Sequence, residues 1–246
     1  MRKYPCLVLL SLSVFSSADV WGQIELDEAK LVTQIIKLNE AKSEAETDFS
    51  DSVFVHILRQ KLILPETFSF PFPRLSDYMK ITTSTDGQIR FYSWQLPIDG
   101  SRRRIHVVAQ FKTKEGKIIV QQLHYFGKEE DTAAENGIYT VYPVKYDQET
   151  SYLTFGWGTY GQGMQHQVIC LYRIEKDSLI KTVDGLPRHK EITIQYPRNA
   201  DCKLQYDVNS QEISYISYSL NEDMGYYYPH GNTIRLKLMK TGFVKQ

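Results

Sequence analysis

The 246-residue chain is short of the residues that announce a reaction or a charged partner. It has three cysteines and six histidines. None of the histidines stands in an HxxxH or HExxH pattern and no CxxC occurs, so the common zinc spacings are missing. There is no GxSxG nucleophile turn. The glycine-rich stretch Gly156–Gly163 lacks the Lys-Ser/Thr of a phosphate loop, and no helix pattern follows it. It reads as a β connection. Net charge is also lacking, with 29 Lys and Arg against 29 Asp and Glu. That balance gives no electrostatic case for nucleic acid or an anionic membrane as partner. No cofactor is expected, and no metal ion. Asp207–Glu212 looks like a calcium loop only at first sight. It has neither the glycine nor the distant glutamate, so a plain turn is expected.

Long apolar runs are confined to the start. Met1-Arg2-Lys3 is a basic head, Cys6–Phe15 is apolar, and small residues follow, with cleavage expected after Ala18 or Gly22. This is the pattern of a secretory leader, too short to anchor in a bilayer. Residues 1–22 are therefore read as a signal peptide. The remaining chain is expected to be periplasmic or secreted, with no membrane span. Cys6 leaves with the leader. In an oxidising compartment the remaining Cys170 and Cys202 suggest a disulfide, the alternative being two buried thiols.

Residues 23–79 are expected to hold the helices. Leu31, Val32, Ile35, Ile36 and Leu38 recur at helical spacing, as do Val53, Phe54, Ile57, Leu58 and Leu62. Asp48, Ser50 or Asp51 could cap the second helix, on which His56 reads as a surface or packing residue. Pro65, Pro71 and Pro73 argue against helix in the following connector. They leave Phe68, Phe70 and Phe72 to alternate along an extended segment that pins the helices to a sheet.

From residue 80 to 246 the pattern is that of strands. Ile89, Phe91 and Ser93 alternate with Arg90, Tyr92 and Trp94 after the turn Asp86-Gly87, and residues 105–111 pair with 117–126 as a hairpin. Turns recur often enough for an antiparallel meander, a sandwich or a propeller-like repeat of hairpins. The fold expected is mainly β with an N-terminal helical segment.

Asp86, Asp147 and Asp207 each precede an aromatic strand and lie about 60 residues apart, the kind of fixed spacing that marks repeats. Three repeats would put Trp94, Trp157 and Tyr218 in equivalent places. The connections after the three strands would then share one edge, offering Arg102, Arg103, Tyr160, Gln162, Tyr226, Tyr227, Tyr228 and His230. Tyrosine joins flat apolar area to a hydroxyl, so such a surface suits a glycan or an envelope protein. Three unrelated loops are the alternative.

Hydrolysis is the competing function. It would draw on His230 or on carboxylates among Glu129, Glu130, Asp131, Glu135, Glu222 and Asp223, since glycoside cleavage needs two carboxylates. The stretches IRFYSW and YLTFGWG resemble those of uncharacterised exported β-rich proteins of Bacteroidetes-type bacteria, over residues 50–240. The resemblance implies export and carries no activity.

Overall fold

The structure is a computed structural model. It describes residues 17–97, 103–124, 135–161, 163–187, 190–221 and 225–246. Among the described residues, two α-helices, α1 (Ser17–Asn39) and α2 (Glu44–Leu62), precede thirteen strands. The first sheet has the order β1 (Lys80–Thr83), β2 (Ile89–Gln95), β3 (Ile105–Lys112), β4 (Ile118–His124). The second runs β5 (Gly137–Tyr146), β6 (Glu149–Gly161), β7 (Met164–Glu175), β8 (Ser178–Lys181), and β9 (Glu191–Pro197) also pairs with β7. The third runs β10 (Gln205–Asp207), β11 (Glu212–Asn221), β12 (Tyr226–Met239), β13 (Gly242–Lys245). All these pairings are antiparallel, and all but β7 with β9 join strands that follow each other in the chain.

The core clusters show four layers in chain order. Leu31, Ile35, Phe54 and Leu58 of the helices pack on Tyr92, Trp94 and Val108 of the first sheet. The opposite face of that sheet, Ile89, Phe91, Val107 and Phe111, packs on Val141, Tyr152 and Cys170 of the second. The far face of the second, Leu153, Phe155 and Ile169, packs on Ile213, Leu236 and Phe243 of the third. Strand alternation therefore sorts apolar residues into two different cores rather than into core and solvent.

The fold class matches the sequence reading, with local corrections. The helical segment starts at Ser17 rather than at residue 23. α2 is capped by Ser43, whose hydroxyl accepts from the Glu46 N–H, while the Glu46 carboxylate accepts from the Lys42 N–H. The helix thus starts before Asp48, and Asp51 is buried inside it instead of capping it. The connector is not wholly extended. Pro65–Phe68 is a 3-10 turn with proline at its first position, where the missing N–H has no helical partner to lose. Phe68, Phe70 and Phe72 are all buried. The Asp86 turn is also longer than two residues. It spans Ser84–Gln88, with the Asp86 carboxylate accepting from the Ser84 hydroxyl and the Gln88 N–H.

Trp94, Trp157 and Tyr218 do lie on the second strand of successive sheets. Trp94 and Tyr218 face the layer before theirs, whereas Trp157 shares the face of Leu153 and Phe155 toward the layer after. What recurs is the order of strands, not the direction of the side chains.

Two glycines of β6 let the chain cross its surface. A Cβ on Gly156 would lie 1.8 Å from Asn136 Oδ1, and one on Gly158 would lie 2.1 Å from the Glu135 carbonyl oxygen. Gly156→Ala should destabilise by about 1–3 kcal/mol through overpacking, and Asn136→Gly should relieve much of that loss. Gly158→Ala should cost a similar amount, and His166→Ala should not relieve it, because the carbonyl remains. Urea unfolding of the two double variants measures both; equal relief would contradict the packing described.

Candidate functional site

The second strands of the three sheets run in one direction. At their starts the Tyr152 hydroxyl donates to Asp86 Oδ2 (3.2 Å), and the Asp147 N–H donates to the Lys240 carbonyl (2.8 Å). At their ends the Arg103 N–H donates to the Thr159 hydroxyl (2.9 Å), and the rings of Tyr196 and Tyr218 lie 6.0 Å apart. The connections after β2, β6 and β11 therefore leave from the same end of the stack.

That end holds a cleft of about 780 Å³, whose lining includes Arg103, Trp157, Tyr78, Tyr139, Gln167 and Asn39. Its wall is held by hydrogen bonds. The Trp157 indole N–H donates to Gln165 Oε1 (3.1 Å). The Tyr139 hydroxyl donates to Gln167 Oε1, and Gln167 Nε2 donates to the Tyr196 hydroxyl (3.2 Å).

Of the residues expected from sequence, Arg103 lines this cleft and is exposed. Tyr226–Tyr228 do not line it. They were expected in a loop, but a turn closed by the Gly225 N–H on the Asn221 carbonyl (2.8 Å) starts β12 at Tyr226. Tyr226 and Tyr228 are exposed there, and Tyr227 is half-buried. Tyr160 and His230 fall within β6 and β12, and their side chains lie outside the described residues. Arg102, Gln162, Glu129, Glu130, Asp131, Glu222 and Asp223 lie wholly outside them. Glu135 contributes the carbonyl that meets His166 Nε2 at 2.7 Å.

Sequence reasoning missed a second polar cluster. Thr47, Asp51, Phe54, Leu58 and Leu62 form the buried stripe of α2, so Asp51 is a carboxylate at a core position. Its Oδ1 accepts from the Trp94 indole N–H (2.8 Å), and its Oδ2 lies 2.9 Å from His106 Nδ1. That last approach is off the line of a straight hydrogen bond. Trp94 and His106 are cross-strand partners, with ring centroids 5.6 Å apart and edge to face. His106 Nε2 is buried with no hydrogen-bond partner, an arrangement that costs about 1–3 kcal/mol. Next to it, Arg104 bonds Asp48 at 3.0 Å and approaches Glu44 at 3.8 Å. The available signal was the carboxylate on an apolar helical stripe, matched by a histidine alternating with Val108 on β3.

The two cysteines considered for a disulfide are both free and buried. Cys170 belongs to the core between the first and second sheets and Cys202 to that between the second and third. They sit on opposite sides of the second sheet and form no bridge.

Burial pushes the Cys170 thiol up from 9.0 to about 12, against a lowering by Lys181. It also pushes the Tyr196 hydroxyl up to about 12, and raises Cys202, Tyr139 and Tyr152. These groups keep their protons in the folded chain when the unfolded chain has already lost them. Stability from this source is complete below pH 9 and falls as pH rises from 9 toward 12. Cys170→Ala should make that alkaline fall shallower by up to about 1.4 kcal/mol per pH unit, read from urea midpoints between pH 8 and 11. An unchanged slope would show that Cys170 is not protected.

Compared with family models, with curated proteins and with solved structures, the chain matches none.

Proposed function

We propose that the protein is an exported, non-catalytic binding module that takes a glycan in the cleft at the end of its sheet stack. The observation that supports this reading is the make-up of the cleft. Trp157 and Tyr78 supply flat aromatic area, on which the C–H face of a sugar packs, and Arg103, Gln167 and Asn39 supply planar hydrogen-bonding groups for hydroxyls. Trp157 and Gln167 are already fixed by Gln165, Tyr139 and Tyr196, so little side-chain freedom is lost when a ligand enters.

An envelope protein as partner is the second reading. It is favoured by the two faces of the β11–β12 hairpin, one exposing Leu220 beside its cross-strand partner Tyr227 and the other exposing Tyr226 and Tyr228.

A glycan array probed with the full chain, followed by calorimetry on the best hit, tests the first reading. Arg103→Ala and Trp157→Ala should each weaken binding about tenfold or more, or about 1.4 kcal/mol. Tm should be unchanged in Arg103→Ala, because that side chain is exposed. Tyr227→Ala, on β12 outside the cleft, should leave glycan affinity intact. Absence of any glycan hit, or a hit indifferent to Arg103 and Trp157, would overturn the reading. Stoichiometric co-purification of a protein lost in Tyr227→Ala would establish the second.

A further inference from the structure

A larger hollow, of about 1030 Å³, lies between α2 and strands β3 and β4, and it shares no lining residue with the end cleft. Strand register and helix direction give it two unlike ends. α2 runs alongside β3, with Asp51 at His106 and the Leu62 carbonyl accepting from Gln110 Nε2 at 2.6 Å. Val120 of β4 stands opposite Gln110 and Ile118 opposite Lys112. One end of the hollow is therefore Asp51, Arg104 and His106, and the other is Ile63, Ile118 and Val120.

The polar end is built but incomplete. Both carboxylates on the wall are engaged, Asp48 by Arg104 and Asp51 by Trp94 and His106. The His106 side chain is 9% exposed, and its Nε2 has no partner. Asp51 beside Nδ1 favours a proton on that nitrogen, so Nε2 is the position left for a ligand. A carboxyl group suits it in either form. As an acid it donates to the bare nitrogen; as a carboxylate it accepts from Nε2–H. The guanidinium of Arg104 favours negative charge at this end, while Ile63, Ile118 and Val120 give the other end aliphatic area beside the polar side chains of Gln60 and Lys117.

We propose that this hollow binds an acyl carboxylate, with its carboxyl group on His106 Nε2 and its aliphatic chain along Ile63, Ile118 and Val120. The site is independent of the glycan cleft and stands or falls separately from it. Nε2 is shielded from water by its surroundings, so entry of the head group involves a small turn of the imidazole or of a neighbouring side chain.

Calorimetry of the full chain with octanoate, and with octanamide as its uncharged analogue, tests the proposal. Octanoate should bind saturably at one site and octanamide about tenfold more weakly or worse. His106→Gln should weaken octanoate about tenfold. Ile63→Asp changes an exposed residue at the far end of α2 and should weaken octanoate similarly, so the proposal remains testable if His106→Gln fails to fold. Equal affinity for octanoate and octanamide would mean that the hollow reads only apolar area. That result, no saturable octanoate binding, or octanoate affinity unchanged in both variants would overturn the proposal.

Discussion

The side of the first sheet that meets the helices is buried yet rich in hydrogen-bonding groups, and the N-terminal third of the chain is shaped by the need to satisfy them. Arg90 is the sharpest case. Its guanidinium is buried on β2 among the rings of Phe72 and Tyr92, and it donates to the carbonyls of Phe68, Phe70 and Pro71. A buried cation without such acceptors would cost several kcal/mol, on the order of the net stability of a domain. The proline-rich connector leaves carbonyls unpaired because it forms no regular ladder. Charge and carbonyls solve each other's problem, and in doing so fix where the connector crosses the sheet. Glu28 of α1 completes the arrangement. Its carboxylate, also buried, accepts from the N–H groups of Arg74 and Leu75 at 2.9 and 3.0 Å and so ties the first helix to the end of the same connector.

From this anchored sheet the remaining layers follow by a simple constraint. A sheet with apolar residues on both faces needs cover on both, and each sheet here covers its successor in the chain. Short hairpin connections keep chain neighbours adjacent, so the stack grows in sequence order. Close packing of the layers then limits what β6 can carry. Residues 135 and 136 pass across β6, and the side chains absent at Gly156 and Gly158 make room for them. The glycines of the stretch GWGTYGQG thus serve the chain's own crossing at two positions, rather than the approach of a ligand.

This explains which features were legible in the sequence. Alternation in IRFYSWQ identified β2 and the two sets of side chains correctly, because periodicity does not depend on what covers each face. It could not say that Phe91 meets another sheet while Tyr92 meets helices, since both are simply apolar. The Ser84–Gln88 turn was misjudged in length because the Asp86 carboxylate binds its own loop, a local bond that competes with a tight hairpin. Asp51 was misplaced for a related reason. Aspartate is common at helix starts, and only knowledge of Trp94 and His106, more than 40 residues away, reveals why one is tolerated in the buried stripe. Of the loop surface, the common end of the stack follows from strand order. The side-chain set does not, because Trp157 faces forward where Trp94 faces back.

Apart from Arg90, the helix-facing side of the first sheet carries the polar networks of Gln110 and of Asp51 with His106 against α2, and they differ in how fully they are matched. Gln110 accepts from the Tyr92 hydroxyl (2.9 Å) and donates to the Leu62 carbonyl and the Thr67 hydroxyl (2.6 and 3.0 Å). Its amide is satisfied from both sides, as expected of a network that fixes α2 against β3. About three turns of helix earlier, Asp51, Trp94 and His106 perform the same docking, with Nδ1 of His106 against Asp51 off the line of a hydrogen bond and Nε2 left over. If docking were the only demand, an apolar pair of similar volume would serve at least as well, because buried polar groups lose hydration that their mutual contact barely returns. A histidine that keeps an unmatched nitrogen on the wall of a large hollow, a short distance from a fully matched network on the same two elements, carries a cost that packing alone does not require. That cost is accounted for when a ligand supplies the missing partner.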